Sequence, residues 1–320
     1  MYDIVICIIH HSKVDLTLQC ISSISEPRLK IKICLIDNNP EERINDIIAK
    51  RFSNIDIIIN PVAKGFGANQ NMIMKKYEGK YQSFMSLNND TFLMKNSIFY
   101  LYKFLFKNKT TGAVCPLMVD KENNSQATFG PIPNATTHIF RILNLKKILS
   151  IKIVRNYLYK HINFLPKFLQ EYLNAKNGYN TTKEIPRISG ACVLFKKQAI
   201  HIVGNYDERF YMYSEDSDWS IRARNKNLKF FLVETAKIIH HVGASGSIKT
   251  KLELEKSMFL YIEKHQLRFK KLIIIIIAFI LALIHIFNYF LCIFTLKSSK
   301  RKKLHKQLIY LGLYKLFKPI

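Results

Sequence analysis

The sequence predicts an α/β fold in which a Rossmann-like, mostly parallel sheet is flanked by helices and followed by a hydrophobic helical segment at the C terminus. Two observations lead to this prediction. Short β-branched runs alternate with helical stretches from the first residues onward, which is typical of repeated strand–helix–strand units. Later in the chain, one uncharged apolar run is long enough to cross a lipid bilayer.

The first third of the chain supplies most of the predicted sheet. Strands are expected at residues 4–9, 31–36, 55–59, 83–87 and 112–117, and helices at residues 12–24, 41–52 and 67–77. Further strands are expected at 187–195 and 229–242, on either side of a loop-rich acidic segment at 205–218. Open α/β sheets bind their ligands at strand ends of this kind.

The predicted sheet domain closes near residue 250, so residues 1–250 form one domain and residues 251–320 form a C-terminal helical region. Within the first domain, residues 120–185 are expected to form a basic helical insertion. Its stretch 141–167 carries seven Lys or Arg residues and no acid. This stretch is either a solvated helix face or an amphipathic helix against an anionic membrane surface or substrate.

The C-terminal region joins an apolar run to a basic tail. Residues 272–296 are 25 positions whose strongly polar members are His285, Asn288 and Thr295. The tail, residues 297–320, carries eight Lys or Arg residues and no acid. This combination predicts contact with anionic membrane lipids, and the alternative is a buried helical hairpin of a soluble domain.

Composition argues against several classes of protein. The chain has 49 Lys and Arg against 23 Asp and Glu, so its formal charge is 49 − 23 = +26, which raises the alternative of nucleic-acid binding. No RNP-like aromatic motif occurs, and the basic residues concentrate at 141–167 and beside the apolar run, so no nucleic-acid partner is expected. Six scattered cysteines without a CxxC pair predict buried thiols instead of a zinc knuckle or a disulfide framework.

Four polar clusters follow predicted strands, and the first two suit a nucleotide. A carboxylate at Asp37, the first residue of cluster 37–39, could accept hydrogen bonds from a base or ribose. In cluster 60–71, Lys64 and Gly65 precede a helix, where backbone N–H groups and a cation can approach phosphate. Each cluster alone also fits an ordinary turn, and the GxGxxG spacing of a dinucleotide site is absent.

The other two clusters contain acids. Cluster 88–90 places Asp90 at a strand end, and a divalent cation on a diphosphate needs only one or two protein carboxylates. Cluster 205–219 packs acids among aromatics, including the single Trp of the chain. Such surroundings can hold a carboxylate with a raised pKa, suited to accepting a proton. The alternatives are a structural turn and an exposed acidic loop.

Six motifs in a fixed order resemble one family. The chain is similar to the family-2 glycosyltransferases of the GT-A fold, and within them to the bacterial rhamnosyltransferase-type branch that builds surface polysaccharides. The resemblance covers residues 2 to 248 and rests on the order of the motifs, because any one of them alone would carry little weight. The motifs lie at residues 37–39, 60–71, 87–90, 189–191, 210–218 and 240–245.

The resemblance implies a donor site for a nucleotide-diphosphate sugar. Asp37 would contact the base or ribose, and Lys64, Gly65 and Asn71 would line the donor pocket. Asn89 stands within the position of the family's DxD motif, which here takes an Asn-x-Asp form.

The resemblance also implies a metal site and a catalytic base. Asp90 matches the last acid of the DxD motif and would bind Mg²⁺ or Mn²⁺ on the diphosphate. His240 matches a histidine that can complete the metal site. Asp216 matches the catalytic base of the family's Glu-Asp pair, with Glu215 beside it.

The function implied is inverting transfer of a sugar to a hydroxyl of a lipid-linked saccharide in cell-surface polysaccharide biosynthesis, such as O-antigen or capsule. The donor to test first is dTDP-rhamnose, and the alternatives are a UDP-hexose and a UDP-N-acetylhexosamine. The non-enzymatic alternative is a basic scaffold that binds nucleic acid or membranes. Retention of both Asp90 and Asp216 argues for an enzyme.

Such an enzyme is expected at the cytoplasmic face of the bacterial inner membrane. A single crossing by residues 272–296 would carry the basic tail to the far side, which the positive-inside rule opposes. We therefore predict that the apolar run bends near His285 and Asn288 and lies in, or re-enters, the cytoplasmic leaflet. Both basic flanks would then stay on the cytosolic side.

Overall fold

A computed structural model describes residues 1–42, 44–126, 128–176, 181–241, 248–266, 269–295 and 298–319. The chain forms two compact units. The sheet unit comprises residues 1–130, 174–211 and 215–244, and the helical unit comprises residues 131–173, 212–214 and 245–320. Much of the basic insertion therefore groups with the C-terminal region.

Within the described residues, nine strands form one mixed sheet in the order β3-β2-β1-β4-β8-β6-β9-β5, with β7 paired to β9. The pairs β3–β2, β2–β1, β1–β4 and β6–β9 are parallel. Strand β8 is antiparallel to both of its neighbours, β4 and β6. The strands are β1 (Tyr2–His10), β2 (Ile31–Asp37), β3 (Ile55–Ile59), β4 (Tyr81–Asn88), β5 (Thr91–Leu93), β6 (Thr111–Val119), β7 (Lys183–Ile185), β8 (Cys192–Lys196) and β9 (Lys229–His240).

Thirteen α-helices are found in the described part of the chain. In order, they are α1 (Val14–Ser22), α2 (Ile44–Arg51), α3 (Phe66–Lys76), α4 (Ser97–Leu105), α5 (Ala135–Ile142), α6 (Lys146–Ser150), α7 (Lys152–Lys160), α8 (Lys167–Lys176), α9 (Lys197–Val203), α10 (Glu215–Arg224), α11 (Ile248–His265), α12 (Lys270–Phe294) and α13 (Ser299–Phe317).

The central strands are apolar on both faces because both faces of the sheet are covered. Along β1, Ile4, Ile6 and Ile8 pack into one core, while Val5 and Cys7 point into the core on the other side. All six cysteines are buried and free, as their apolar surroundings predict. The predicted site residues Asp37 and Asp90 lie at or just after the ends of such strands.

The α/β prediction is confirmed, and its errors are local. The strand expected at 187–195 begins only at Cys192. The acidic segment expected to be a loop starts helix α10 at Glu215, where acids in the first turn favour the positive end of the helix dipole. The three-residue strands β5 and β7 are too short to show a period of two. Val242, the end of the last predicted strand, lies outside the described residues.

The C-terminal helices form an antiparallel hairpin. A Cβ atom at Gly312 of α13 would lie 2.8 Å from the carbonyl oxygen of Ala278 and 3.0 Å from the Cβ of Ala282 on α12, so glycine permits a close approach here. Nearer the turn, the Nδ1 atoms of His285 and His305 are 2.9 Å apart. The expected basic tail is thus mostly the second helix of this hairpin.

The bend predicted near His285 and Asn288 is wrong. Helix α12 runs without interruption from Lys270 to Phe294. The Asn288 side chain donates a hydrogen bond to the carbonyl oxygen of Ile284 at 2.8 Å, within the same helix, so it satisfies its own polar group without breaking the helix. The chain reverses between α12 and α13 instead.

A buried polar cluster ties the insertion to α11 inside the helical unit. Arg141 of α5 donates two hydrogen bonds of 2.7 Å to the carboxylate of Glu255 on α11, and His138 Nε2 lies 3.2 Å from the same carboxylate. The hydrogen bonds from His138 and Arg141 outweigh the opposing effect of burial and lower the pKa of Glu255 to about 2. Burial lowers the pKa of His138, so the imidazole is neutral at pH 7.

Candidate functional site

An asparagine network shapes the turn between β3 and α3. The Asn38 Oδ1 atom accepts hydrogen bonds of 2.9 Å from Asn60 Nδ2 and from the backbone N–H of Lys64. Asn60 also donates to Asn69 Oδ1 at 2.7 Å, and Asn69 in turn donates to the Lys64 carbonyl oxygen at 3.2 Å. The amides therefore hold the backbone of the Lys64 turn in place, while the Lys64 Nζ lies 3.4 Å from the Met72 sulfur.

Gly65 lies where this turn contacts the loop of cluster 205–219. A Cβ atom at Gly65 would be 2.6 Å from the carbonyl oxygen of Tyr211 and 2.9 Å from its Cα, closer than any side chain can approach. The N–H of Phe66 donates to the same carbonyl at 2.8 Å. Gly65 is thus required for packing between two predicted clusters, whatever it contributes to a ligand.

Two amides expected at the donor site bind other parts of the protein. Asn71 donates hydrogen bonds to the carbonyl oxygen of Tyr206 and to Glu208, at 3.0 and 2.9 Å, and accepts one from the Tyr206 N–H at 3.0 Å. Asn89 donates to Thr17 Oγ1 at 2.8 Å and to the carbonyl oxygen of Ser12 at 3.1 Å. Both therefore shape loops of the sheet unit.

Asp37 ends β2 and is completely buried. Its Oδ1 atom accepts a hydrogen bond from the backbone N–H of Asn39 at 3.1 Å, whereas Oδ2 has no hydrogen-bond partner among the described residues. A buried carboxylate oxygen without a donor is costly. Asp37 is therefore suited to receive a donor from a ligand, such as a base N–H or a ribose hydroxyl.

Asp90 and His240, expected to share a cation, are brought together by the sheet. The β5–β9 pairing places Thr91 opposite His240, and the Asp90 Oδ1 atom lies 3.4 Å from His240 Nε2. That Oδ1 atom is buried and has no hydrogen-bond partner in the described part of the chain. An orphaned carboxylate oxygen beside an imidazole fits a divalent cation.

The protein alone supplies few ligands for such a cation. No group of three or more metal-ligating side chains occurs within the described residues. Mg²⁺ and Mn²⁺ are commonly held by one or two protein groups, with substrate phosphate oxygens and water completing the shell. Asp90 and His240 therefore suit a cation that arrives with a diphosphate.

The neighbouring acids Glu215 and Asp216 have different surroundings at the start of α10. Glu215 is buried, and its Oε2 atom has no hydrogen-bond partner among the described residues. Burial, with the nearby charge of Asp216 as a smaller cause, raises the pKa of Glu215 to about 8. The side chain of Asp216 is 17% exposed and accepts hydrogen bonds from the Ser217 N–H at 2.6 Å and the Ser217 hydroxyl at 3.2 Å. Asp216 is thus the acid of the pair that solvent and a ligand can reach.

The raised pKa of Glu215 predicts a stability effect with a definite sign. Between pH 4.5 and about 8 the unfolded chain ionises Glu215 while the folded protein keeps it protonated, so this group lowers stability as pH rises through that window. Glu215→Gln cannot ionise in either state. We expect the substitution to raise the melting temperature more at pH 8 than at pH 5. The corresponding gain in the free energy of unfolding between the two pH values is about a few kcal/mol at most.

The control is Glu78→Gln, because Glu78 is exposed. Thermal unfolding of both variants at pH 5 and pH 8 measures the difference, and Glu78→Gln should show the same small change at both. An equal effect of Glu215→Gln at the two pH values would show that Glu215 is ionised in the folded protein.

Arg187 is a site residue that sequence reasoning did not single out. It precedes the Ser189-Gly190-Ala191 motif, and its Nη1 atom lies 3.4 Å from Asp216 Oδ2. No local pattern distinguishes this arginine from the many others of a basic chain. Its significance depends on a contact between residues far apart in sequence.

Residues 5–203 match the family profile described as Glycosyl transferase family 2. The chain belongs to this family. The match spans the Asn-rich turn and the Asp90 strand end, so the expected family assignment is confirmed. The likeness to the rhamnosyltransferase-type branch is also supported by curated relatives.

These relatives are N-acetylglucosaminyl-diphospho-decaprenol L-rhamnosyltransferases from two strains of Mycobacterium tuberculosis. Each is 37% identical to this chain over 54 residues, which is 17% of this chain and 18% of the relative. The matched segment thus covers less than a fifth of the length of these curated relatives.

Solved glycosyltransferase structures share the fold. One is GalNAc-T7 with UDP, GalNAc and Mn²⁺, with a TM-score of 0.58, 13% identity, and coverage of 99% of this chain and 57% of that chain. Another is a mannosyltransferase from Pyrobaculum calidifontis in complex with GDP-Man and Mn²⁺, with a TM-score of 0.53, 11% identity, and coverage of 99% and 87%. The expected GT-A fold is confirmed, and at these identities the likeness concerns the fold alone.

Proposed function

We propose that this family-2 glycosyltransferase transfers a sugar from a nucleotide-diphosphate donor to a hydroxyl of a lipid-linked saccharide, with inversion at the anomeric carbon. The observation that carries the proposal is the pair of unsatisfied carboxylates at strand ends. Asp37 Oδ2 and Asp90 Oδ1 are both buried without hydrogen-bond partners in the described part of the protein. Asp37 suits the nucleoside end of a nucleotide diphosphate, because its oxygen can accept a hydrogen bond from the ligand. Asp90 suits the diphosphate end, because its oxygen can bind a cation held by the phosphates.

In this proposal Asp216 is the general base. It lies in the first turn of α10, and it is reachable from solvent. It removes the proton of the acceptor hydroxyl as the hydroxyl oxygen attacks the anomeric carbon. Glu215 is buried and protonated at pH 7, so it does not act as the base.

Asp90 and His240 are the groups that would hold Mg²⁺ or Mn²⁺. A bound cation supplies charge stabilisation to the leaving diphosphate. Lys64 and the backbone of the Gly65 turn are positioned by the asparagine network to contribute to the same electrostatic task. Asn71 and Asn89 act through the loops they hold, because their amides are engaged with protein groups.

The donor and acceptor are proposed from the likeness to the rhamnosyltransferase-type branch. The relatives named above act on a sugar diphospho-lipid, which supports a lipid-linked saccharide of cell-surface polysaccharide synthesis as the acceptor. That likeness makes dTDP-rhamnose the donor to test first, ahead of UDP-hexoses and UDP-N-acetylhexosamines. A basic scaffold without activity is disfavoured, because the carboxylate pair would then be buried at a cost with no ligand to offset it.

The test is release of nucleoside diphosphate from a panel of nucleotide sugars with Mn²⁺ present, with and without lipid-linked saccharides extracted from bacterial membranes. We expect one donor to be turned over faster when an acceptor is added. The matched control is the same panel with Asp37→Asn, which keeps the shape of the side chain but lowers its value as an acceptor. If no nucleotide sugar binds or is turned over, the proposal is wrong.

We further propose that the C-terminal hairpin binds the cytoplasmic face of the inner membrane. By length and composition, its segment Lys270–Ile293 can associate with a membrane, and 28% of its most apolar window is buried. The remaining surface includes a continuous stripe at helical spacing. The stripe residues, all exposed, are Leu272, Ile276, Phe279, Leu283, Phe287 and Phe290 of α12.

The hairpin favours an arrangement in the plane of the membrane over a crossing. If α12 crossed, α13 would return beside it and carry Lys306 and the His285–His305 pair into the hydrocarbon, where polar groups are costly. In the plane of the membrane, the apolar stripe of α12 enters the lipid while the exposed cations of α13, such as Lys300 and Lys303, meet anionic headgroups.

Because α13 packs antiparallel to α12, a crossing would expose the junction of the two helices, and not Ile320, to the periplasm. Ser298→Cys at the start of α13, treated with a membrane-impermeant maleimide in cells with a permeabilised outer membrane, therefore distinguishes the two arrangements, since the six native cysteines are buried. The in-plane arrangement predicts no labelling until the cells are lysed, and strong labelling of intact cells would establish a crossing. Phe279→Glu with Phe287→Glu should move the protein from the membrane fraction to the soluble fraction, because both rings lie on the exposed stripe.

A further inference from the structure

Arg187 makes an ion pair with the proposed base. Its Nη1 atom donates a hydrogen bond of 3.4 Å to Asp216 Oδ2 and one of 3.3 Å to the carbonyl oxygen of Ile188. A Cβ atom at Gly130 would lie 3.2 Å from Arg187 Nη2, so the backbone at Gly130 passes close to the guanidinium. The arginine is therefore held by the sheet unit on more than one side.

Three titratable side chains near Asp216, those of Glu215, Tyr206 and Cys115, are uncharged at pH 7. Glu215 is protonated because burial, aided by the charge of Asp216, raises its pKa to about 8. Tyr206 and Cys115 are fully buried, and burial raises the pKa of each side chain, so both remain neutral. The guanidinium of Arg187 brings an opposite charge to 3.4 Å from the Asp216 carboxylate.

The two oxygens of Asp216 are thus oriented by different partners. Oδ1 accepts from the N–H and the hydroxyl of Ser217, which lies in the same helix turn. Oδ2 faces Arg187. With 21% of the arginine side chain and 17% of the aspartate side chain exposed, the pair is reachable from solvent, so a substrate hydroxyl can approach the carboxylate without dismantling the core.

We propose that Arg187 is a positioning residue for the base, keeping the Asp216 carboxylate oriented until the acceptor hydroxyl arrives. This inference rests on the proposed role of Asp216. In the step itself, the O–H bond of the hydroxyl breaks, its proton goes to Asp216, and the hydroxyl oxygen bonds to the anomeric carbon. The bond between the anomeric carbon and the diphosphate oxygen breaks, and its electron pair leaves with the diphosphate. Arg187 keeps all its protons and holds the Oδ2 atom of the base in place before the step.

The test separates kcat from KM in assays of the full-length protein. A group that orients the base acts on the transfer step, so Arg187→Gln should lower kcat by roughly 10-fold or more, while the KM for the nucleotide-sugar donor changes little. Arg187→Lys keeps a cation beside Asp216 and should recover part of the lost kcat.

Loss of a merely structural residue would raise KM and lower the melting temperature together with kcat, and Arg187→Lys would not recover kcat selectively. Unchanged kcat in Arg187→Gln, or no recovery of kcat in Arg187→Lys, would therefore overturn the inference. If Arg187→Gln does not fold, Arg187→Met, which keeps the aliphatic stem without the charge, replaces it under the same criterion. Turnover by Asp216→Asn equal to that of the unsubstituted protein would instead refute the proposed base, which separates the two failures.

Discussion

Asp216→Asn is expected to lower turnover by roughly 10²- to 10⁴-fold, the usual loss when a general base is removed. The substitution keeps the shape of the side chain and its hydrogen bonds with Ser217, but an amide cannot take the acceptor proton. Binding of the nucleotide-diphosphate donor should change little. Turnover and donor affinity are measured separately, by product formation at saturating substrate and by calorimetric titration.

The matched control is Asp46→Asn, since Asp46 is an exposed aspartate of α2. This variant should retain the turnover of the unsubstituted protein. Asp216→Asn with unchanged turnover would show that another group accepts the proton. A loss of donor affinity equal to the loss of turnover would assign Asp216 to donor binding instead.

Asp90→Ala is expected to weaken binding of nucleoside diphosphate by roughly 10-fold or more in the presence of Mn²⁺, since removal of even an outer-shell partner of a metal costs 10- to 100-fold. Without Mn²⁺ the effect should be much smaller, because the carboxylate would then add only negative charge near the phosphates. His240→Ala should show the same dependence on Mn²⁺ in a weaker form, because His240 is the second group beside the unsatisfied Oδ1 atom of Asp90.

Chelation gives the complementary measurement. Excess EDTA should abolish transfer by the unsubstituted protein, and added Mn²⁺ or Mg²⁺ should restore it. Full activity in EDTA would mean that Lys64 or another cation of the protein stabilises the leaving diphosphate, and that the orphaned oxygen of Asp90 serves another purpose.

Much of the sheet unit could be predicted from the sequence because its signals are local. The strands ending at Asp37 and Asn88 are largely buried on both faces, and the polar residues at their ends lie at the edge of the sheet. Asp37 and Asp90 are therefore recognisable as candidate site residues from the sequence. Nothing local indicates that Asp90 meets His240, because that contact depends on the antiparallel register of a three-residue strand with β9.

Other features depend on contacts that a sequence pattern does not contain. The difference between Glu215 and Asp216 follows from which face of α10 is turned to the core, and the helix itself was expected to be a loop. The C-terminal tail looked polar because its cations cluster near residue 300, yet Leu304, Leu308 and Gly312 share one face and are buried. The hairpin follows from that face, and it explains why α12 is unbroken where a bend was expected.

The anomeric configuration of the product tests the central claim most directly. Direct displacement with Asp216 as the base predicts that the new glycosidic bond has the configuration opposite to that of the sugar–diphosphate bond in the donor. NMR coupling constants of the purified product, made with the donor found in the nucleotide-sugar panel, determine it. Inversion agrees with one displacement step at this site, and retention would contradict it.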